Sequence, residues 1–176
     1  MDYKELLKRD INEFINQNIY WSGGRGFISF LKHKQYEDET ITNLIIELFN
    51  SNDLILENEE SLMKLACFAV TNNYPSLLEM LIKEYNVDPT YSDGYFLRCS
   101  VESGFSKIVE ILLSDPRVKQ DRWYNYNVKI AAEYRFTEIL KLLLSKWEVK
   151  LSNEEKNKIL SVYSENAEII QLLSSK

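Results

Sequence analysis

The chain has 176 residues, 45% of them hydrophobic and 27% charged, with a formal net charge of −6. That length supports one domain with its own core or one short repeat array, and the spread of hydrophobic residues with so modest a charge excludes disorder across most of the length. Five Gly and three Pro exclude a turn-dense all-β protein, and no apolar run approaches the roughly 18 residues that a membrane-spanning helix needs.

The first predicted element is an amphipathic helix over residues 5–15, with Leu7, Ile11, Phe14 and Ile15 on one face. A glycine stretch, Ser22-Gly23-Gly24-Arg25-Gly26, follows; without a preceding strand or a following Lys-Ser/Thr it reads as a turn rather than a phosphate cradle. Phe27-Ile28-Ser29-Phe30-Leu31 starts a second helix, and residues 1–35 together are expected to cap the apolar end of whatever lies beyond them. The opening Met1-Asp2-Tyr3-Lys4-Glu5 does not resemble a signal peptide, so an intracellular setting is the expectation. Acidic residues concentrate next, at Glu37, Asp38, Glu39, Asp53, Glu57, Glu59 and Glu60. Residues 1–60 carry six Lys and Arg against twelve Asp and Glu, whereas residues 61–176 carry fifteen of each. No basic run exceeds Lys8-Arg9, so direct binding to nucleic acid, which needs clustered cations to neutralise phosphates, is not expected.

From residue 61 onward the chain repeats itself. The segments 69–82, 100–113 and 131–144 align without gaps at a spacing of 31. Each opens on small residues (Ala69, Ser100, Ala131) and passes a polar turn to an aromatic (Tyr74, Phe105, Phe136). Each then closes on an aliphatic run such as Ile108-Val109-Glu110-Ile111-Leu112-Leu113. Val87, Val118 and Val149 keep the same interval. A shorter copy follows over residues 167–173, and Asn43-Leu44-Ile45-Ile46-Glu47-Leu48-Phe49 is a looser upstream echo. Each unit reads as two antiparallel helices, the second with a wide apolar stripe. Pro75 fits a first helical turn, where its missing N–H would be unpaired anyway, and Ser152 with Glu155 predicts a capping box. Cys67 and Cys99 fall in apolar helical patterns and read as small core residues.

A helical pair repeating every 31 residues resembles the ankyrin repeat, best over residues 61–150 and more loosely over 36–60 and 151–176. Ala131-Ala132 resembles the small pair of that family's first helix. Glu102-Ser103-Gly104-Phe105 resembles its turn, with Phe105 in place of the customary His. Leu112-Leu113-Ser114-Asp115-Pro116-Arg117-Val118 is similar to the divergent ankyrin-type repeats of giant viruses, phages and some protists. The family's Thr-Pro-Leu-His start is replaced by Tyr95-Phe96-Leu97-Arg98 and Tyr126-Asn127-Val128-Lys129, so loops and paired strands are equally compatible with the connections. Tetratricopeptide repeats, the rival helical array, lack support because their Trp-Leu-Gly-Tyr pattern is missing. The resemblance implies an all-α, ankyrin-like solenoid over residues 36–176, closed by capping helices at both ends.

Chemistry-bearing motifs are scarce. His33 is the single histidine, which excludes His-based metal clusters, and no hydrolase, zinc-protease or nucleotide-loop signature is present. No catalytic residue, metal or cofactor is therefore expected. The inter-unit segments instead hold Tyr91, Tyr95, Trp123, Tyr124 and Tyr126 with Arg117 and Arg122, the residue types that dominate protein-binding hot spots. In an ankyrin-like stack these segments share one edge, which implies a non-enzymatic module gripping a partner protein there. A second expectation is an inhibitor whose acidic residues, Glu37 to Glu60, occupy a basic surface. Sixteen Ile, fifteen Lys and fifteen Asn point to AT-rich coding and, with the repeat style, to a viral or phage protein acting on a host factor in the cytoplasm.

Overall fold

A computed structural model describes residue 9 and residues 38–50, 59–120, 122–147 and 150–174. Apart from Arg9, the segments 5–15, 22–26 and 27–31, and with them the expected N-terminal cap, lie outside the described residues, as do His33 and Val149. Every regular element among the described residues is an α-helix. The chain divides into two compact units, Met1–Asp88 and Pro89–Lys176.

The first unit contains α1 (Asp38–Asn50), α2 (Glu59–Asn72) and α3 (Pro75–Lys83). Helix α3 packs against both of the others. Its aliphatic run supplies Leu77, Leu78 and Leu81, fully buried, and α2 answers with Leu65, Ala66, Phe68 and Ala69. Burying each large aliphatic side chain contributes roughly 1.5–3 kcal/mol. Cys67 is buried among them, in keeping with its apolar helical setting. Pro75 occupies the first turn of α3, where no N–H is needed.

The second unit contains α4 (Tyr91–Glu102), α5 (Ser106–Ser114), α6 (Tyr124–Glu133), α7 (Thr137–Lys146), α8 (Asn153–Val162) and α9 (Ala167–Ser174). Consecutive helices pair as α4 with α5, α6 with α7 and α8 with α9. First helices neighbour first helices (α4, α6, α8), and second helices neighbour second helices (α5, α7, α9). Side chains of the second helices fill the interior: Ile108, Val109 and Leu112 of α5 and Ile139, Leu140, Leu143 and Leu144 of α7 are at most 1% exposed. Polar ties join adjacent pairs at the surface, including Lys141 to Glu168 at 2.8 Å, Lys129 to Glu155, and Asn125 Nδ2–H to the Lys150 carbonyl at 2.9 Å.

The turn inside each pair is the same at intervals of 31 residues. Asn73, Gly104 and Arg135 all lie in the left-handed region, with φ of 59°, 73° and 58°. The following aromatic donates its backbone N–H to the small residue five positions back: Tyr74 to Ala69 (2.9 Å), Phe105 to Ser100 (2.9 Å) and Phe136 to Ala131 (2.8 Å). That bond satisfies a carbonyl the first helix would otherwise leave open. It also places the aromatic residue at the N-cap of the second helix in all three copies, so Ser106 and Thr137 stand one position inside and make no capping bond. Ser152 and Glu155 form the expected capping box, each side chain accepting from the other's backbone N–H at 3.2 and 2.8 Å. The Lys129 ammonium beside Glu155 and the Ser152 N–H hold that carboxyl down at about 2.

Two positions in the second unit stand out. A Cβ on Gly104 would lie 2.8 Å from the Phe136 ring, so the ring of one pair seats on bare backbone of its neighbour. Asn127, fully buried on α6, has no hydrogen-bond partner among the described residues for its amide nitrogen or its carbonyl oxygen. Its counterparts one and two repeats earlier are the buried Phe96 and Leu65.

Gly104→Ala therefore combines a left-handed backbone with displacement of the Phe136 ring and is expected to cost about 2 kcal/mol. Asn127→Leu removes an unpaired buried amide and is expected to gain about 1 kcal/mol. Urea unfolding monitored by circular dichroism measures both, and opposite signs at the two positions are the expected result.

Candidate functional site

The chain enters the second unit through an unusual turn. Ser92, Asp93 and Gly94 are consecutive left-handed residues, with φ of 49°, 59° and 77°, and right-handed helix begins only after them. Glycine adopts this region freely, but Ser and Asp do so at roughly 1–2 kcal/mol each. The cost is met by bonds made at the turn. Trp123 Nε1–H donates to Asp93 Oδ2 at 3.2 Å, the Arg122 guanidinium pairs with the same oxygen, and Arg98 Nη1–H donates to the Asp93 carbonyl at 2.5 Å.

These contacts join a first helix, α4, to the segment that leads into the next first helix, α6. The Arg98 guanidinium lies 4.7 Å from the Trp123 ring centroid and that of Arg122 lies 5.2 Å from it, both within cation–π range. Tyr126 meets Trp123 edge-on with centroids 6.1 Å apart, and its hydroxyl donates to Glu102 Oε1 at 2.9 Å. The Trp123 N–H, acting first, and then the Arg122 charge hold the Asp93 carboxyl below its ordinary range. Glu102 acts the other way on Tyr126, whose hydroxyl is pushed up because its proton is shared with a carboxylate.

Of the seven aromatic and arginine residues predicted to bind a protein, Arg122, Trp123 and Tyr126 come together directly, Arg122 strongly exposed and Tyr126 at 39%. Tyr91, 40% exposed, and the half-buried Tyr95 flank the buried Phe96 ring at 5.8 and 6.2 Å. Arg117 is fixed in its own turn, donating from Nε to Asp115 Oδ1 at 3.0 Å and from Nη2 to Oδ2 at 2.7 Å.

Tyr124 departs from the expectation. It is 1% exposed, its ring meets Trp147 edge-on at 5.3 Å, and its hydroxyl donates to the Leu143 carbonyl. Burial pushes that hydroxyl far above the usual phenol range. Tyr124 is a core ring, because it is the first residue of α6 and faces α7, whereas Tyr126 two positions on faces outward.

The residues missed by sequence reasoning are Asp93, Arg98 and Glu102. The signal for them was the repeat itself: Asp93 lies 30 residues before Trp123, so equivalent corners of successive pairs are neighbours. Of the acidic set, Glu37, Asp53 and Glu57 lie outside the described residues, and Asp38 is the first residue of α1. Glu39, Glu59 and Glu60 are exposed at the starts of α1 and α2, and Glu60 pairs with Lys64 at 2.9 Å. This is the ordinary placement of carboxylates against the helix dipole. Among the described residues no group of three or more His, Cys, Asp or Glu could hold a metal ion, and no helix is long and apolar enough to cross a membrane.

No family model matches the chain, and neither a curated protein nor a solved structure matches it.

A carboxyl whose pKa is lowered on folding contributes stability above its unfolded value of 3.8, and that contribution is lost as pH falls through the lower folded value. Acidification should therefore release the Trp123 indole N–H in a step below pH 3.8 that is missing in Asp93→Asn. The pH dependence of that indole resonance measures it.

Proposed function

We propose that the chain is a divergent, ankyrin-type helical-repeat protein that works by binding a partner protein, without catalysis, through the corner built around Trp123. It acts inside a cell, and on a host factor if its source is a virus or phage. The repeat reading is supported by the order of neighbouring helices in the second unit and by a turn that recurs with one geometry at Asn73, Gly104 and Arg135.

The observation that carries the binding reading is the cluster of Arg98, Arg122, Trp123 and Tyr126, held in place by Asp93 and Glu102. Large planar side chains lose little rotamer freedom on binding, and here their orientations are already fixed by the turn and by one another. Arg122 and Tyr126 remain accessible while pinned, which is the condition for an anchor rather than a core contact. The helical scaffold supplies the rest, since Arg98 comes from the α4–α5 pair and Arg122, Trp123 and Tyr126 come from the start of the next.

Trp123→Ala and Arg122→Ala should each weaken capture of the natural partner by more than about 1 kcal/mol, or at least fivefold, with the circular dichroism spectrum retained. Affinity purification from the native host with wild-type and variant chains, followed by titration of the recovered partner, provides the comparison. Unchanged affinity in both folded variants places the binding surface elsewhere.

A further inference from the structure

The chain carries a net charge of −6, yet among the described residues around Trp123 cations outnumber carboxylates. Beside it a cleft of about 400 Å³ opens between the 89–94 turn and residues 117–120, with Asp93, Leu97, Arg117 and Lys119 among its walls. Around the cleft and the stack, the described residues present four cations, Arg98, Arg117, Lys119 and Arg122, and three carboxylates, Asp93, Glu102 and Asp115, with Glu102 accepting from the Tyr126 hydroxyl. Asp115 is taken up by Arg117 through both oxygens. Asp93 Oδ2 alone serves both Arg122 and the Trp123 N–H. Arg98 is left with a neutral backbone carbonyl and the face of an indole, and Lys119 is exposed with no ion-pair partner among the described residues.

Two cations are therefore held in fixed or accessible positions with no carboxylate within ion-pair distance among the described residues, next to a cleft large enough for several side chains. We infer that this corner receives an acidic segment of the partner protein, an extended peptide with at least two carboxylates. One carboxylate pairs with Arg98 and Arg122 beside the Trp123 ring, and a second reaches Lys119 across the cleft. The inference rests on the reading that this corner binds a protein, and adds the partner's chemistry to it. Charge complementarity selects the occupant, since a carboxylate-rich segment supplies what Arg98 and Lys119 lack. The apolar wall at Leu97 and the rings of Trp123 and Tyr126 favour a peptide with side chains between its carboxylates over a bare polyanion.

The test uses the full chain and three probes: a glutamate-rich peptide of about 12 residues, the same peptide with Gln for Glu, and an oligothymidylate of similar length. The readout is the Trp123 indole N–H resonance, assigned by its loss in Trp123→Phe. The glutamate peptide is expected to shift that resonance saturably, with affinity falling about fivefold or more between low and physiological salt. Arg122→Gln and Lys119→Gln should each weaken it by a similar factor with the circular dichroism spectrum retained, and the glutamine peptide should bind far less.

An unmoved resonance at about 1 mM glutamate peptide, equal binding of the glutamine peptide, or tighter binding of the oligothymidylate overturns the inference. The two levels separate cleanly. If the peptide fails but Trp123→Ala still abolishes capture of the natural partner, the acidic-segment inference falls and the protein-binding reading stands. If Trp123→Ala leaves capture intact, the protein-binding reading falls whatever the peptide does.

Discussion

The second unit depends on how one helical pair is seated on the next, and the seat is small: the Phe136 ring against the bare α-carbon of Gly104. A helix end leaves carbonyls without partners, and a chain that reverses direction at once must satisfy them within a few residues. Here a left-handed residue turns the backbone, and the next N–H reaches back to the carbonyl of a small residue. The aromatic that makes this bond is carried to the start of the second helix. In the case of Phe136 it is thereby offered to the preceding pair. Smallness at Ser100 and Ala131, the absence of a side chain at Gly104 and the bulk of Phe136 are parts of one arrangement. Asn127 runs against this economy, as a buried amide where Phe96 and Leu65 stand in the earlier copies.

The corner around Trp123 is organised by a different balance. Two consecutive non-glycine residues in the left-handed region are unfavourable, and they persist because Asp93 is held from three directions by Trp123, Arg122 and Arg98. The same bonds orient the cations and the indole, so backbone strain and surface preorganisation have a single origin. Exposed ion pairs contribute little to stability on their own, and these matter for the geometry they impose.

Much of this was legible before any coordinates. The 31-residue interval located the second helices at Ser106–Ser114 and Thr137–Lys146, and the Ser152–Glu155 pair announced its own capping box. Hydrophobic periodicity suffices for that, since it reports which face is buried. It does not report backbone sign. Of Asn73, Gly104 and Arg135, only the glycine hinted at a left-handed turn, although all three adopt one. Nor could composition separate Tyr124 from Tyr126, because two residues along a helix reverse the direction a ring faces and the outcome turns on where α6 begins. Nothing in the sequence of their own unit singles out Asp93 or Arg98. Their role emerges only when successive units are laid side by side, which places positions about 25–30 residues apart in contact.

The two joints just described sit at opposite ends of one helix. Asp93 precedes the right-handed part of α4 and is held to the Trp123 segment, while Gly104 follows α4 and carries the ring of Phe136. About 12 Å of helix separates them. A beam held at both ends cannot swing about either one, so α4 is denied the hinge that a single contact to the α6 pair would leave it.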